Sequence, residues 1–408
     1  MNSALSPTPS SKARGGRATA LRPARNQRKT FGLEHTREFL DKLLGDDIHA
    51  KRALSLANGV AGILSGAVLS IHAIGQAYAR LADIEPKSGI KQLDRLLSNK
   101  GIDLVVMMPL WIAFVIAART SLVVALDWTD FDDDDHTTLC AYLITKHGRA
   151  TPLAWKTYKK SELEGHRTGW EHDLVETMHR WIPPNVNVTL LADRGFGDQK
   201  LYSLLGLLGW DYVIRYRGNI LTESNSGEVR PGAEWAPSTG RPCMLKNARV
   251  TGDRFQVPAV VVVHAPKMKE EWCLATSLSD RRASEIVKEY GRRFRIEETF
   301  RDTKDLHFGR GLKANHIRRA DRRDRLLFLF AIAHALLTLL GAAAEEAGLD
   351  RILKSSTVKK RTHSLFRQGT YWYSCLPTMR DAWFIPLVTA FDRIVLEHPV
   401  FREVFGAI

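Results

Sequence analysis

The stretch Val186-Asn187-Val188-Thr189-Leu190-Leu191-Ala192-Asp193 decides the fold class. An apolar run of strand length that stops at a carboxylate has the texture of a buried strand. Pro183-Pro184 stands just before it and closes a helical segment, Glu171–Trp181, because proline cannot continue a helix. Beyond Asp193 the pattern predicts a helix over about 198–208 and a short strand, Tyr212–Arg215. Upstream, Leu122–Leu126 is a second compact apolar run, ending at Asp127. Thr137–Ile144 and Thr151–Trp155 read as further strands on either side of a polar turn at Lys146-His147-Gly148. Residues 217–280 are rich in Gly and Pro and hold the strand-like runs Val257–His264 and Trp272–Thr276, as in an antiparallel insertion. From Ser284 a helical period returns and holds to about 307. This order predicts an α/β domain over 119–344 with a β-rich insertion at 217–280.

The flanks have a different texture. From about 35 to 118 apolar residues recur at three- and four-residue spacing, among them Phe39, Leu40, Leu43, Leu44, Leu54, Leu56, Val60 and Ile63. Lys87-Ser88-Gly89-Ile90-Lys91-Gln92 interrupts that run. A helical domain over 31–118 suits DNA binding, and a purely structural bundle gives the same pattern. Residues 345–408 read as a helical C-terminal region carrying Lys359-Lys360-Arg361. Residues 1–30 carry seven Lys and Arg and no acidic residue among Ser, Pro, Gly and Ala. Such a segment buries too little to order itself, so a flexible basic arm is expected, touching DNA or simply solvated.

At 408 residues the chain has room for two or three domains, and its 44% apolar and 25% charged residues are those of a globular protein. The net charge of +14 is not average and points to a polyanionic partner, most commonly nucleic acid. Cys140, Cys243, Cys273 and Cys375 are far apart with no CxxC pair, which argues against a zinc ribbon or a disulfide framework and fits a reducing cytoplasm. No apolar segment of a secretory signal is visible at the start. Two apolar runs resemble membrane spans. Leu104–Ala118 contains Pro109 and is shorter than the roughly 20 residues needed to cross a bilayer. Leu326–Ala344 contains His334 and Thr338, with Arg322, Arg323 and Arg325 at its start and Glu345-Glu346 behind it. Both are expected to be buried core helices, with no membrane partner.

Asp127 and Asp193 each end a predicted strand, where ligands bind in α/β sheets. Two carboxylates at neighbouring strand ends suit hard cations such as Mg²⁺, which also takes waters and phosphate oxygens. A strand-end Asp is often only a helix cap or a turn residue. The helix from 284 adds Tyr290, Arg293, Glu297 and Lys304, whose offsets fall within roughly 60° of arc. One stripe thus offers a phenol, a guanidinium, a carboxylate and an ammonium. An exposed face laced with ion pairs has the same spacing.

Together these residues resemble the bacterial insertion-sequence transposases of the DDE type. Tyr290, Arg293, Glu297 and Lys304 reproduce their Y-(2)-R-(3)-E-(6)-K motif, and Asp193-Arg194-Gly195-Phe196 is similar to their second-aspartate motif. Ala125-Leu126-Asp127-Trp128-Thr129 is similar to their first. Asp130 and Asp132–Asp135 crowd behind Asp127; that acidic run reads as a solvated turn, and Glu298 falls off the stripe. The resemblance implies a ribonuclease-H-like catalytic core, with Asp127, Asp193 and Glu297 holding Mg²⁺ (Mn²⁺ as a substitute). It also implies phosphate contacts from Tyr290, Arg293 and Lys304, with Arg194 beside them at the DNA, and a β subdomain as the insertion. Trp272 stands where such proteins stack a flipped base, although a strand Trp in the core reads the same way.

The activity so implied is nicking of transposon ends and transfer of the freed 3′-hydroxyl to DNA, by cut-and-paste through a hairpin. The implied partners are terminal inverted repeats and target DNA, bound by a homodimer in a synaptic complex. The expected setting is the bacterial cytoplasm, at the nucleoid. A related two-metal nuclease or resolvase shares the carboxylates, and a decayed transposase acting only as a DNA-binding protein shares the charge.

Overall fold

The computed structural model describes residues 25–44, 47–66, 68–305, 309–397 and 404–406. Of the basic arm expected over 1–30, residues 1–24 lie outside the described residues; residues 25–30 instead open a helix, α1 (Arg25–Leu44).

Four more helices follow: α2 (Ala50–Ser65), α3 (Ile71–Ala82), α4 (Pro86–Ser98) and α5 (Leu104–Ile116). Their ends follow local chemistry. The Ser70 hydroxyl accepts the Ala73 N–H at 3.1 Å at the start of α3, Pro86 occupies the first turn of α4, and the Asp103 carboxylate accepts the Val105 N–H at 2.9 Å to open α5. The polar segment Lys87–Gln92, expected to interrupt the helical run, lies inside α4. Gly89 is what permits this: a Cβ there would strike the Gly75 carbonyl, so the glycine lets α4 press against α3.

Among the described residues ten strands form: β1 (Ser121–Phe131), β2 (His136–Ile144), β3 (Ala150–Lys159), β4 (Asn187–Ala192), β5 (Asp211–Tyr216), β6 (Leu221–Glu223), β7 (Val229–Pro231), β8 (Cys243–Val250), β9 (Phe255–Val263) and β10 (Trp272–Thr276). They form one sheet in the order β3-β2-β1-β4-β5-β10-β9-β8-β6-β7. β1, β2 and β3 pair antiparallel, whereas β4 runs parallel to both β1 and β5. A central β1 flanked in this way is compatible with a ribonuclease-H-like core. The strands of 217–280 continue the same sheet, because β10 pairs antiparallel with β5 from Cys273↔Tyr216 to Thr276↔Val213.

Helices α6 (Arg167–Trp181) and α7 (Gln199–Leu207) lead into β4 and β5. The single helix expected from 284 to about 307 is two: α8 (Ala283–Gly291) and α9 (Arg295–Lys304), joined by a tighter 3₁₀ turn at Arg292–Phe294. Further along come α10 (Ala320–Glu346), α11 (Leu365–Cys375) and α12 (Asp381–Leu396). Among the described residues α10 alone is long and apolar enough to cross a membrane, yet its apolar run is buried inside the protein. It packs on α11, α12, α2 and β3, so the helices before and after the sheet share one apolar core with it.

Three charged residues near the start of α10, Arg323, Asp324 and Arg325, are buried as well. Asp324 accepts the Thr157 N–H of edge strand β3 at 3.0 Å, and its carbonyl accepts the Trp155 indole N–H at 3.2 Å. Burial pushes the Asp324 carboxyl up to about 7, against the opposing pull of the Thr157 bond and Lys156. An acid whose folded pKa exceeds its unfolded value near 3.9 takes up a proton on folding. Its stabilising contribution is complete below about pH 4 and is lost as pH rises through about 7. Relative to Asp324→Asn, wild-type stability is expected to fall by up to about 1.4 kcal/mol per pH unit across that window. Urea melts of the two proteins between pH 4 and 8 measure this, and parallel pH profiles would remove Asp324 as the cause.

Candidate active site

The pairing of β1 with β4 runs in parallel register up to Leu126↔Ala192. The next residues on the two strands are Asp127 and Asp193. Neighbouring strands lie about 4.8 Å apart, so the two carboxylates leave the sheet side by side. β1 itself does not end at Asp127, as the apolar run suggested. It stays paired with β2 as far as Phe131↔His136, and only its β4 neighbour stops. Asp193 turns the chain: its side chain accepts the Gly195 N–H at 2.8 Å and caps a 3₁₀ turn over Arg194–Phe196. Gly195 leaves this turn open to Arg167: a Cβ there would lie 2.9 Å from Nη2 of Arg167 and 3.0 Å from Oδ1 of Asp193, so a larger residue would push both side chains aside.

Glu297 arrives on α9, and α9 is fixed by buried polar contacts. The Thr299 hydroxyl accepts the Ala150 N–H and donates to the Ala150 carbonyl, both at 3.0 Å. Asp302 receives Arg149 Nε at 2.5 Å and Arg367 Nη2 at 3.0 Å. Lys304 reaches back to β1, donating to the Thr129 hydroxyl at 3.0 Å and to the Asp130 carbonyl at 2.7 Å. Burial, with Lys313 nearby, lowers its pKa.

The focus of the site is Arg293, in the 3₁₀ turn between α8 and α9. Its guanidinium forks: Nη1 donates to Asp127 Oδ2 at 2.9 Å and Nη2 to Glu297 Oε1 at 2.7 Å. Its side chain is 7% exposed, against 51% for Glu297. Burial pushes the Asp127 carboxyl up to about 6; Arg293 opposes this, and the negative charges of Asp193 and Glu297 add to it. Burial works against the Arg293 charge, but Tyr290, Asp127, Glu297 and Asp193 outweigh it and hold its pKa above the ordinary value. Three carboxylates therefore share one negative field, and Arg293, paired with Asp127 and Glu297, offsets only part of it.

Tyr290, at 1% exposure, is a packing residue in this state. Trp272, the first residue of β10, meets it edge to face with centroids 4.9 Å apart and lies 5.8 Å from the exposed Phe294 ring. Arg194 is exposed and pairs with Glu270 at 2.8 Å, which also takes Arg215 at 3.0 Å. The structure thus gathers Asp127, Asp193, Arg293 and Glu297, with Tyr290 and Trp272 adjoining, while Lys304 at the end of α9 bonds to β1 beyond Asp127.

The acidic run behind Asp127 is only partly a solvated turn. Lys160 holds Asp130 at 2.9 Å and Asp132 at 2.6 Å, but Asp134 is buried. It pairs with the fully buried Arg323 of α10 and accepts the Ile317 N–H at 3.0 Å. Sequence reasoning also missed Arg167, Glu171 and Trp128. The Trp128 indole and Arg167 Nε both donate to Glu171 Oε1, at 2.7 and 2.9 Å. Burial pushes the Glu171 carboxyl up, against those two bonds. The available signal was the i,i+4 spacing of Arg167 and Glu171 at a helix start.

Among the described residues no three His, Cys, Asp or Glu side chains converge closely enough to hold a metal ion as they stand. The donor chemistry nonetheless fits a hard divalent cation. Mg²⁺ takes one or two carboxylates and completes its shell with water and phosphate oxygens. Positive charge is also what this field of three carboxylates lacks once Arg293 is discounted.

Residues 163–336 match the family model of the transposase DDE domain. The match covers less than half of the chain. Asp193, Arg194, Trp272, Tyr290, Arg293, Glu297 and Lys304 fall inside it, and Asp127 lies upstream. No curated protein matches the chain. The match supports a DDE transposase, hence an enzyme that cuts and transfers DNA strands and a family that normally works with divalent metals.

Proposed function

We propose that this chain nicks the ends of a mobile DNA element and joins the freed 3′-hydroxyl to DNA, with Asp127, Asp193 and Glu297 as metal-binding carboxylates. The observation that carries this reading is the parallel register that sets Asp127 beside Asp193, together with the arginine that ties Asp127 to Glu297. Bound Mg²⁺, for which Mn²⁺ is expected to substitute, supplies charge at the phosphoryl oxygens and a stronger oxygen nucleophile.

The protein's own part is placement and electrostatics. In the first step a water oxygen attacks phosphorus and the 3′-oxygen leaves as a hydroxyl. In the second that hydroxyl attacks another phosphorus and displaces a new 3′-oxygen, so one phosphodiester forms as one breaks. Arg293, released from Glu297, turns to a phosphate; Lys304 and Arg194 lie along the strand on either side. Trp272 and the exposed Phe294 offer aromatic faces to a base flipped during hairpin formation. Tyr290 serves as the floor under Arg293 and Trp272. We assign end recognition to the helices of 31–118 and pairing of two copies on two ends to the region beyond 345, with cut-and-paste as the outcome.

The test is metal removal. Protein is incubated with labelled DNA bearing the inverted repeats that flank its gene, at low salt so that phosphate contacts are not screened. Nicked and joined products are expected with Mg²⁺ and none with EDTA. Binding without cleavage under Mg²⁺ or Mn²⁺ would make the chain a DNA-binding protein, and cutting without joining would make it a nuclease.

A further inference from the structure

We propose that Arg167, held in place by Glu171, binds a backbone phosphate of the DNA strand flanking the scissile one; this rests on the reading of the carboxylate site given above. Arg167 opens α6, and its side chain is 41% exposed while Glu171 is 5% exposed. The pair differs in this from a surface i,i+4 bridge, which holds neither partner firmly. One buried oxygen of Glu171 receives both Arg167 Nε and the indole N–H of Trp128, the residue after Asp127.

The guanidinium carbon lies 5.8 Å from the centre of the Trp128 ring and 5.6 Å from that of Phe196, which closes the turn made by Asp193. Nη2 reaches the Cα side of Gly195 in that same turn. Arg167 therefore spans the two aspartate segments from above. Only its Nε is engaged, and neither Nη has a hydrogen-bond acceptor among the described residues. A planar fork with a fixed stem and two free ends suits a phosphodiester, whose two non-bridging oxygens accept in parallel. The guanidinium lies beside Trp128 and Phe196, next to both aspartate segments, so a strand bound at the carboxylates would pass within its reach.

A structural strut joining the two turns would use the same contacts, so the test must read charge on DNA. Affinity of full-length protein for the labelled end DNA is measured in EDTA over a salt series. Each phosphate neutralised contributes about 0.9 to the slope of log K against log salt on duplex DNA. Arg167→Ala is expected to make that slope shallower by about 0.9, and Arg167→Lys, which keeps the charge, to restore it. Unfolding temperatures of both variants, measured beside the wild type, identify binding lost through misfolding. Because Arg167→Lys retains the apolar stem, it carries the test if the alanine variant does not fold: a wild-type slope is then expected. A folded Arg167→Ala protein with the wild-type slope would overturn the inference, as would a folded lysine variant with a shallower one. If the wild type meanwhile cuts its ends with Mg²⁺, the carboxylate reading stands and only Arg167 loses its role. A wild type that binds no DNA at any salt overturns both.

Discussion

Glu297→Gln is expected to lower strand cleavage by at least about 10²- to 10³-fold, the usual loss when one preorganised charge at a reacting centre is removed. DNA binding and unfolding free energy should stay close to wild type. The second half of that expectation follows from exposure. Glu297 is half exposed and makes one ion pair, an i,i+4 contact with Arg293, worth roughly 0.3–0.5 kcal/mol on a helix surface. Glutamine keeps its size and an acceptor oxygen. A side chain that matters little to the fold and greatly to the rate is one placed for chemistry. Arg293→Ala provides the contrast: it strips a buried cation from Asp127, so it should cost stability as well as activity. Single-turnover cleavage with saturating Mg²⁺, beside urea melts of all three proteins, separates the cases. Wild-type cleavage in Glu297→Gln would mean that another carboxylate serves. Glu298 is a poor substitute, because it is turned toward Arg149, 3.7 Å away, and Arg301.

How much of this was legible in sequence depended on whether the signal was local. Asp127 and Asp193 could be picked out because each ends an apolar run, and burial of that run is a property of consecutive residues. Trp272–Thr276 could be bounded for the same reason. The end of β1 could not, since Trp128–Phe131 alternate in burial and their pairing with β2 is set by partners 5 to 11 residues away. The turn that divides α8 from α9 carries only the weak signal of Gly291 before it: Arg292-Arg293-Phe294 suits a helix, and one glycine inside a helical run does not end it. Helical spacing put Arg293 and Glu297 on one stripe but said nothing of Asp127, which meets Arg293 from across the fold. Arg167 was missed because the helical segment was read as starting only at Glu171, four residues after it. The continuation of the sheet through 217–280 rests on the pairing of β10 with β5, some 60 residues apart, and no local pattern encodes such a partner.

Asp302→Ala is expected to destabilise the protein by about 3–5 kcal/mol, the range for removing one partner of a buried ion pair. Asp302 is 3% exposed and receives two guanidinium groups, and Arg149 is itself only 13% exposed. Truncation leaves the Arg149 charge poorly solvated, with Glu298 at 3.7 Å as its remaining carboxylate. That uncompensated charge, more than the lost hydrogen bonds, sets the size of the effect, so Asp302→Asn should cost less than Asp302→Ala while remaining well below wild type. The consequence reaches the carboxylate site through α9. Asp302 lies on the turn after Glu297, and with Thr299 it anchors that helix to the start of β3. Loosening this anchor lets Glu297 and Arg293 drift from Asp127. Cleavage is therefore expected to fall in Asp302→Ala even well below its unfolding midpoint, whereas Glu297→Gln loses activity with its stability intact. Urea unfolding and cleavage rates at a temperature where every variant is folded distinguish the two patterns. A loss under about 1 kcal/mol on Asp302→Ala would mean that water reaches Arg149, and that α9 is held by Thr299 and apolar packing instead.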